Sequence, residues 1–171
     1  DVQVQPRTGD VVVATHGRSF WVLDDVAPLR ERAAQRGGPL PVLFKPADAW
    51  RVRRSEYTDT PMPPDEPMGK NPPDGALIDY NLPTAAQDVT LQILDSDGKV
   101  LRTYTSHDAV TPTPEELKTE LIPPYWPLRH GPVPVSAGMH RWVWDLRSTT
   151  PTSTRYGYPI SAVPHRTPLQ P

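Results

Sequence analysis

The sequence predicts an all-β protein that contains one short helix. Short apolar blocks alternate with turns that contain Gly, Asp or Pro, and only one stretch combines a capping residue with a run of good helix formers. Proline accounts for 24 of 171 residues, well above the average usage of ~5%. Because proline is excluded from helix interiors and central strands, the strands must lie between the proline clusters. These clusters are residues 61–73, 111–134 and 151–171.

The first 25 residues predict a three-strand meander. Its strands are Val2–Gln5, Val11–Thr15 and Ser19–Leu23. The loops between them are short and contain glycine, which is typical of hairpins, and we expect Gly17 to take the positive φ of the second turn. Three strands alone would leave an apolar face and an unpaired edge. A blade of a β-propeller, with about four antiparallel strands, is an architecture in which such a meander is one unit among many.

A short helix is predicted after the meander, over residues 26–36. Asp24 or Asp25 is a suitable N-cap, Pro28 lies in the first turn, and residues 37–38 are a Gly-Gly stop. An extended segment follows over residues 41–54, in which we expect Leu43, Trp50 and Val52 to be buried.

A second β unit is predicted after this linker. The segment 88–95 alternates with period two, so that Val89, Leu91 and Ile93 share one face. Asp97-Gly98 predicts a hairpin turn, and Val100–Thr105 predicts the returning strand. The segment 138–147 predicts a further strand, in which Trp142, Trp144 and Leu146 share a face opposite Arg141, Asp145 and Arg147. The spacing fits an immunoglobulin-like sandwich, although only about four strands are found where such a fold has roughly seven.

Composition excludes several classes of function. The net charge of −2 provides no basic surface for nucleic acid, and no apolar run approaches the ~20 residues of a spanning helix. The absence of cysteine excludes disulfides, thiolate metal sites and cysteine nucleophiles. The five histidines lack the spacing of zinc motifs, and the Asp95–Lys99 segment resembles a calcium loop only at its start. We therefore predict no metal and no cofactor.

The stretch "VVVATHGRSFWVLDD" gathers the candidate binding residues. They are His16, Arg18, Asp24 and Asp25. A glycosidase uses two carboxyl groups that face one bond, whereas adjacent residues of an extended strand point to opposite sides. We therefore expect one aspartate to cap the helix and the other to face solvent, and we assign no catalytic residue. Tyr125 and Trp126, in the second proline cluster, are candidates for an exposed surface that stacks on sugars.

Two blocks carry a family resemblance. "VVVATHGRSFWVLDDVAPLRE" resembles the end of the last blade in large bacterial proteins of the BNR-repeat, sortilin-like type, which are often labelled glycosyl hydrolases. "NPPDGALIDYNLP", "VTLQILDSDGKVLRTYTS" and "GMHRWVWDLR" resemble the region that follows the propeller there. The resemblance implies a blade fragment over residues 1–25, a helix and proline-rich linker over 26–74, and an immunoglobulin-like sandwich over 75–171. It also implies a fragment that lacks most of the propeller and the closing strands of the sandwich.

The resemblance implies a non-catalytic accessory region of a secreted or periplasmic protein. Its partner would be the remainder of its own propeller, with polysaccharide or protein as a further partner. The alternative is a segment that lines the cleft of a propeller glycoside hydrolase, with His16, Arg18, Asp24 or Asp25 near the substrate. The Asp-box signature of such repeats is not present in full, so no catalytic residue is carried over.

Overall fold

The computed structural model describes residues 1–35, 38–51, 73–118 and 128–149. Most of the regular structure in these residues is β-sheet, which confirms the all-β class. The described strands form two three-stranded sheets and one hairpin, with the strand orders β1-β2-β3, β4-β5-β8 and β6-β7. Their bounds are β1 Val2–Val4, β2 Val11–Ala14, β3 Phe20–Leu23, β4 Val42–Leu43, β5 Ala76–Leu82, β6 Thr90–Leu94, β7 Val100–Thr105 and β8 Gly138–Trp144.

The first sheet, β1-β2-β3, is the predicted meander and is fully antiparallel. We call it the meander sheet. Gly17 has the predicted positive φ of 77° in the β2–β3 turn, and Ser19 follows it with φ 67°. The strands are each one residue shorter than predicted, because the turn hydrogen bonds begin at Thr15, whose amide and hydroxyl both donate to the Ser19 carbonyl.

Helix α1, Ala27–Ala34, follows the meander sheet as predicted. It begins one residue later than expected, with Val26 at the N-cap position and no capping hydrogen bond from that side chain. Pro28 lies in the first turn, where its missing N–H costs no helical hydrogen bond. Pro28 is also the buried residue of the helix, whose other side chains are mostly charged or small.

The second sheet, β4-β5-β8, is built around β5, which pairs with β8 over seven residues. The strands approach so closely at their ends that a Cβ on Gly75 would lie 2.0 Å from the Trp144 carbonyl oxygen. Gly75 therefore permits the close start of β5, at a φ of 138° that side chains rarely adopt. Residues of β5 are buried on both faces, including Ile78 and Tyr80 on one face and Asp79 on the other.

The hairpin β6-β7 closes the core over one face of this sheet. The turn is at Asp97-Gly98 as predicted, with the Asp95 amide donating to the Lys99 carbonyl. The core cluster is Ile78, Tyr80, Leu82, Tyr104, Val133 and Trp142, with Val89, Leu91, Ile93 and Trp144 partly buried against it. The predicted inward face of Val89, Leu91 and Ile93 and the predicted inward positions of Trp142 and Trp144 are thus confirmed.

Two predictions about burial in the 41–54 segment are wrong. Leu43 is 66% exposed and Trp50 is 75% exposed, whereas the neighbouring Phe44 is 1% exposed. The Phe44 amide donates to the Asp79 carbonyl, so the register of β4 on β5 turns Phe44 inward. Val52 lies outside the described residues. Leu146 was expected in the last strand, but β8 ends at Trp144 and Leu146 has a φ of 58°.

A second helical segment, α2 Pro114–Leu117, was not predicted. Thr113 and Glu116 form a capping box around it, and Pro114 occupies the first turn. Proline was taken to exclude helix from residues 111–134, yet proline is favourable at the first position of a helix. The Thr-x-x-Glu spacing was the signal that could have revealed this segment.

Candidate functional site

The candidate aspartates lie in the corner between β3 and α1, residues Asp24–Val26, which we call the Asp24–Val26 corner. Asp25 has a φ of 45°, a left-handed conformation that is uncommon outside glycine. Its amide donates to Asp10 Oδ1 at 2.9 Å, and the Val26 amide donates to the Gly9 carbonyl oxygen at 3.1 Å. Both bonds tie the corner to the turn between β1 and β2. The corner is therefore part of the meander sheet.

The Asp25 carboxylate is buried and supports the backbone. The residue is 5% exposed, and its Oδ1 accepts a hydrogen bond from the Ala27 amide at 3.0 Å. This bond satisfies a free amide at the start of α1, but the prediction that Asp24 or Asp25 is the N-cap is wrong, because Val26 occupies that position and Asp25 contacts the helix from the residue before it. Oδ2 has no hydrogen-bond partner among the described residues. A carboxylate in this position is shielded from a polymeric substrate.

Arg141 of β8 contacts the same corner from the second sheet. Its Nε lies 2.9 Å from Asp79 Oδ1 and its Nη2 lies 3.0 Å from Asp79 Oδ2. The other N–H groups of the guanidinium bond to the corner, where Nη1 donates to the Asp24 carbonyl oxygen and Nη2 donates to the Asp25 carbonyl oxygen. The guanidinium thus uses all three nitrogens, and joins residues that are more than a hundred positions apart in sequence.

Asp24 is the half-buried member of the pair. Burial and, second, the neighbouring Asp10 carboxylate raise the pKa of Asp24 above its usual 3.8, while Arg141 and a backbone hydrogen bond oppose the shift. A raised pKa is a property of general acids, but glycoside hydrolysis needs a second carboxyl group that faces the same bond. The adjacent Asp25 is buried and bonded to the helix. The geometry therefore favours a structural role for both aspartates.

His16 and Arg18 lie at the opposite end of β3, in the exposed β2–β3 turn. The Arg18 carbonyl oxygen accepts a hydrogen bond from Trp21 Nε1 at 3.1 Å, which fixes the indole against the turn. Five residues, four of them in the extended strand β3, separate Arg18 from Asp24, a span of roughly 15–20 Å. The structure therefore does not bring the four candidates together. Tyr125 and Trp126 lie outside the described residues.

The core contains an aromatic cluster that the sequence analysis identified only in part. Tyr104 stacks on His130 with ring centroids 5.0 Å apart, and Trp142 lies 5.1 Å from Tyr104. His130 Nε2 lies 3.0 Å from the Val143 carbonyl oxygen. Burial, followed by the charge of Asp145, raises the pKa of the Tyr104 phenol, and the cation of Arg102 over the ring opposes this shift. These groups are packed in the core, and their role is to hold the two layers together.

Asp79 and Arg141 are the residues that sequence reasoning missed at the corner. Alternation placed Arg141 on the face opposite the tryptophans, but nothing in the local pattern indicates that this face is covered. The signal that was available is a pair of opposite charges at facing positions of two strands, which requires knowledge of the register. Within the described ranges, no group of three or more His, Asp or Glu side chains could hold a metal ion.

Comparison with known proteins provides no family assignment. No family model, no curated protein and no solved structure matches the chain. None of the helices in the described ranges is long and apolar enough to cross a bilayer.

Proposed function

We propose that the chain is a non-catalytic accessory region of a secreted or periplasmic propeller protein of the BNR-repeat, sortilin-like type. In this proposal the meander sheet is part of the terminal blade and packs against the remainder of the propeller. The second sheet and the β6-β7 hairpin belong to an immunoglobulin-like sandwich that supports the blade. The complete protein would present a surface to a polysaccharide or protein partner.

The exposure of β3 carries this proposal. All four of its residues are apolar and solvent-exposed, with exposed fractions of 76% for Phe20, 65% for Trp21, 57% for Val22 and 49% for Leu23. Side chains of a strand alternate between faces, so both faces of this strand are uncovered. An exposed apolar surface of this kind is typical of a site that another layer of protein covers.

The backbone of β3 also offers an unpaired edge. The Asp1 amine donates to the Ala14 carbonyl, and the Ala14 amide donates to the Asp1 carbonyl. The backbone groups of Ala14 therefore point toward β1, and those of Val13 point toward β3. Val13 is opposite Trp21, so the amides and carbonyls of Phe20 and Val22 point away from β2. Because β3 is the last strand of its sheet in the described ranges, these groups have no strand partner there and could pair with a further strand.

The positions of the candidate residues support the non-catalytic part of the proposal. The Asp24 and Asp25 carbonyls are bonded to Arg141, and the Asp25 carboxylate is bonded to the first turn of α1. His16 and Arg18 are at a hairpin turn on the far end of β3. This arrangement ties the two aspartates into the packing of the fold and places His16 and Arg18 away from them.

The test is the accessibility of Val22 in the complete gene product. The chain has no cysteine, so Val22→Cys and Lys99→Cys each introduce a single thiol that a maleimide reagent can label. We expect labelling at Val22→Cys to be about tenfold or more slower in the complete protein than in the 171-residue chain, because the blade would be covered. Lys99→Cys, in the exposed β6-β7 turn, is the control and should react equally fast in both. Equal rates for Val22→Cys would overturn the proposal.

The enzymatic alternative is tested by replacing both aspartates. The double variant Asp24→Asn, Asp25→Asn in the complete gene product is assayed for polysaccharide hydrolysis and for thermal stability. Retained hydrolysis with lowered stability would support the structural role. Loss of hydrolysis at unchanged stability would establish the glycoside hydrolase alternative.

A further inference from the structure

We propose that Arg141 is a latch that fixes the meander sheet on the β4-β5-β8 sheet. This inference goes beyond the proposed function, because it concerns how two parts of this chain are held relative to each other. It predicts that the orientation of the meander sheet depends on one guanidinium and its carboxylate partner. Loss of that contact would leave both sheets folded but loosely connected.

The anchor of the latch lies within the second sheet. Asp79 and Arg141 are directly opposite each other in the register of β5 and β8, so their side chains emerge side by side on one face. The Asp79 side chain is 6% exposed and that of Arg141 is 29% exposed. A two-point contact between a guanidinium and a carboxylate fixes the plane of the arginine as well as its position. The donors that remain on Arg141 are thereby aimed before the corner is engaged.

The other half of the latch is a pair of consecutive backbone carbonyls. In an extended strand, successive carbonyls point in opposite directions, so one guanidinium could not donate to both. The φ of 45° at Asp25 breaks this alternation, and the carbonyls of Asp24 and Asp25 both accept from Arg141. The uncommon backbone conformation of the corner is thus matched to the fork of the arginine.

In the part of the chain that the structure describes, no strand of the meander sheet pairs with a strand of β4-β5-β8. The corner is itself rigid, because Asp10 Oδ1 and the Gly9 carbonyl hold the amides of Asp25 and Val26. A contact that fixes the corner therefore fixes the whole meander sheet.

The chemistry requires arginine. A lysine at position 141 would keep the positive charge opposite Asp79, but its single ammonium could not bind a carboxylate at two points and reach two carbonyls. Asp79 is buried, so removing its charge partner altogether would leave an uncompensated carboxylate. Arg141→Lys is therefore the informative substitution, since it separates the fork from the charge.

The first experiment measures hydrogen exchange on the 171-residue chain and on Arg141→Lys. The reporters are the amides of Val26 and Ala27, which are bonded to Gly9 and Asp25 within the corner. We expect exchange at these amides to accelerate about tenfold or more, because the corner would lose the cover of the second sheet without global unfolding. Amides of Ile78 and Tyr80 in β5 should change much less. Equal acceleration at all four positions would contradict the latch, since Arg141 would then only stabilise its own sheet.

The second experiment measures the distance between the meander sheet and the β6-β7 hairpin, which packs on the second sheet. Spin labels at Gln3→Cys in β1 and Lys99→Cys in the hairpin report the relative orientation, and the chain has no other cysteine. We expect a narrow distance distribution that becomes broad in Arg141→Lys. Asp79→Asn keeps the shape of the anchor and the charge of Arg141, and should broaden the distribution to a smaller extent. If Arg141→Lys lowers the folded fraction, Asp79→Asn is the variant on which the distance distribution is measured.

The matched control is Arg102→Lys. Arg102 is also a partly buried arginine of the second β unit, but it donates to the Ser148 carbonyl and lies over the Tyr104 ring. It should leave both the corner amides and the distance distribution unchanged. An unchanged distribution in both Arg141→Lys and Asp79→Asn would overturn the proposal, as would a broadened one in the control.

Discussion

The meander sheet and the β4-β5-β8 sheet have the same number of strands but opposite surroundings. Every residue of β3 is exposed, whereas five consecutive residues of β5 are buried. The exposed strand β3 is entirely apolar, whereas the buried strand β5 contains Asp79 and Asn81, so composition alone does not explain the difference. The difference is that a hairpin covers one face of β5 and the Asp24–Val26 corner contacts the other, while no described layer covers β3. Burial is thus decided by the neighbouring layers, and apolar residues only indicate where a layer is required.

Two tryptophans illustrate this comparison. Trp142 of β8 is 8% exposed and contacts the aromatic core, whereas Trp21 of β3 is 65% exposed and bonds only to its own turn. A tryptophan side chain is therefore packed in the core in one sheet and exposed to solvent in the other. In the proposed propeller, Trp21 would gain its partner from the adjoining layer.

The largest expected effect is that of Trp142→Ala. Removing this buried ring should lower the free energy of unfolding by ~3–5 kcal/mol. The loss has two sources, the hydrophobic transfer free energy of the ring and the cavity that remains in the core. Trp21→Ala should cost less than about 1 kcal/mol in the same chain, because its ring is exposed. Urea unfolding followed by circular dichroism measures both. Equal losses for the two variants would break the comparison between the sheets.

Much of the fold can be predicted from the sequence, because hairpins are determined by local pattern. The β6-β7 hairpin is specified by Asp97-Gly98 and by the alternation of Val89, Leu91 and Ile93. The meander strands and α1 are likewise found within one or two residues of their predicted bounds. These elements depend on turn residues and periodicity, which are properties of short segments.

The errors occur where a distant segment decides the outcome. Phe44 is buried and Leu43 is exposed because β4 pairs with β5, some 35 residues away in sequence, in one register only. Trp50 was expected in the core from its composition, but no described layer covers it.

The contact of Arg141 with the corner was missed for a related reason. Charged residues at alternate positions are the usual sign of a solvated face, and only the folded register reveals their partner. Of the candidate site residues, Asp25 contacts the start of α1, but the N-cap position that was predicted for an aspartate is held by Val26.

The second expected effect is smaller and lies within the core sheet. The Tyr80 hydroxyl donates to the Pro134 carbonyl oxygen at 2.6 Å, so Tyr80→Phe should lower the free energy of unfolding by about 1 kcal/mol. The Tyr104 hydroxyl is buried and has no hydrogen-bond partner among the described residues, so Tyr104→Phe should be neutral or stabilising. Thermal unfolding of the two variants measures the difference. A larger loss for Tyr104→Phe would show that its hydroxyl has a partner after all.

The burial of Tyr80 also makes the stability of the chain depend on pH in the alkaline range. Burial raises the pKa of Tyr80 from 10.0 to about 12. The neutral phenol is therefore favoured in the folded state, and the stability that it contributes is complete below pH 10 and is lost as the pH rises toward 12. Tyr80→Phe should remove this part of the decline, which urea unfolding at several pH values between 9 and 11.5 would show.

The smallest expected effect concerns Asp24, which lies where the two sheets meet. Burial and the Asp10 carboxylate raise the pKa of Asp24 above 3.8, so the folded state binds its proton more tightly than the unfolded state does. The stability linked to this proton is therefore complete below pH 3.8 and is lost as the pH rises through the higher pKa of the folded state.

Asp24→Asn removes the charge but keeps the carbonyl that accepts from Arg141. The variant should be as stable as the parent chain or slightly more stable at pH 7, and the difference in melting temperature should vanish on acidification. Asp97→Asn, in the exposed hairpin turn, is the control. A melting temperature at pH 7 that falls only in Asp24→Asn would mean that the Asp24 charge stabilises the junction, contrary to the repulsion from Asp10 that the structure indicates.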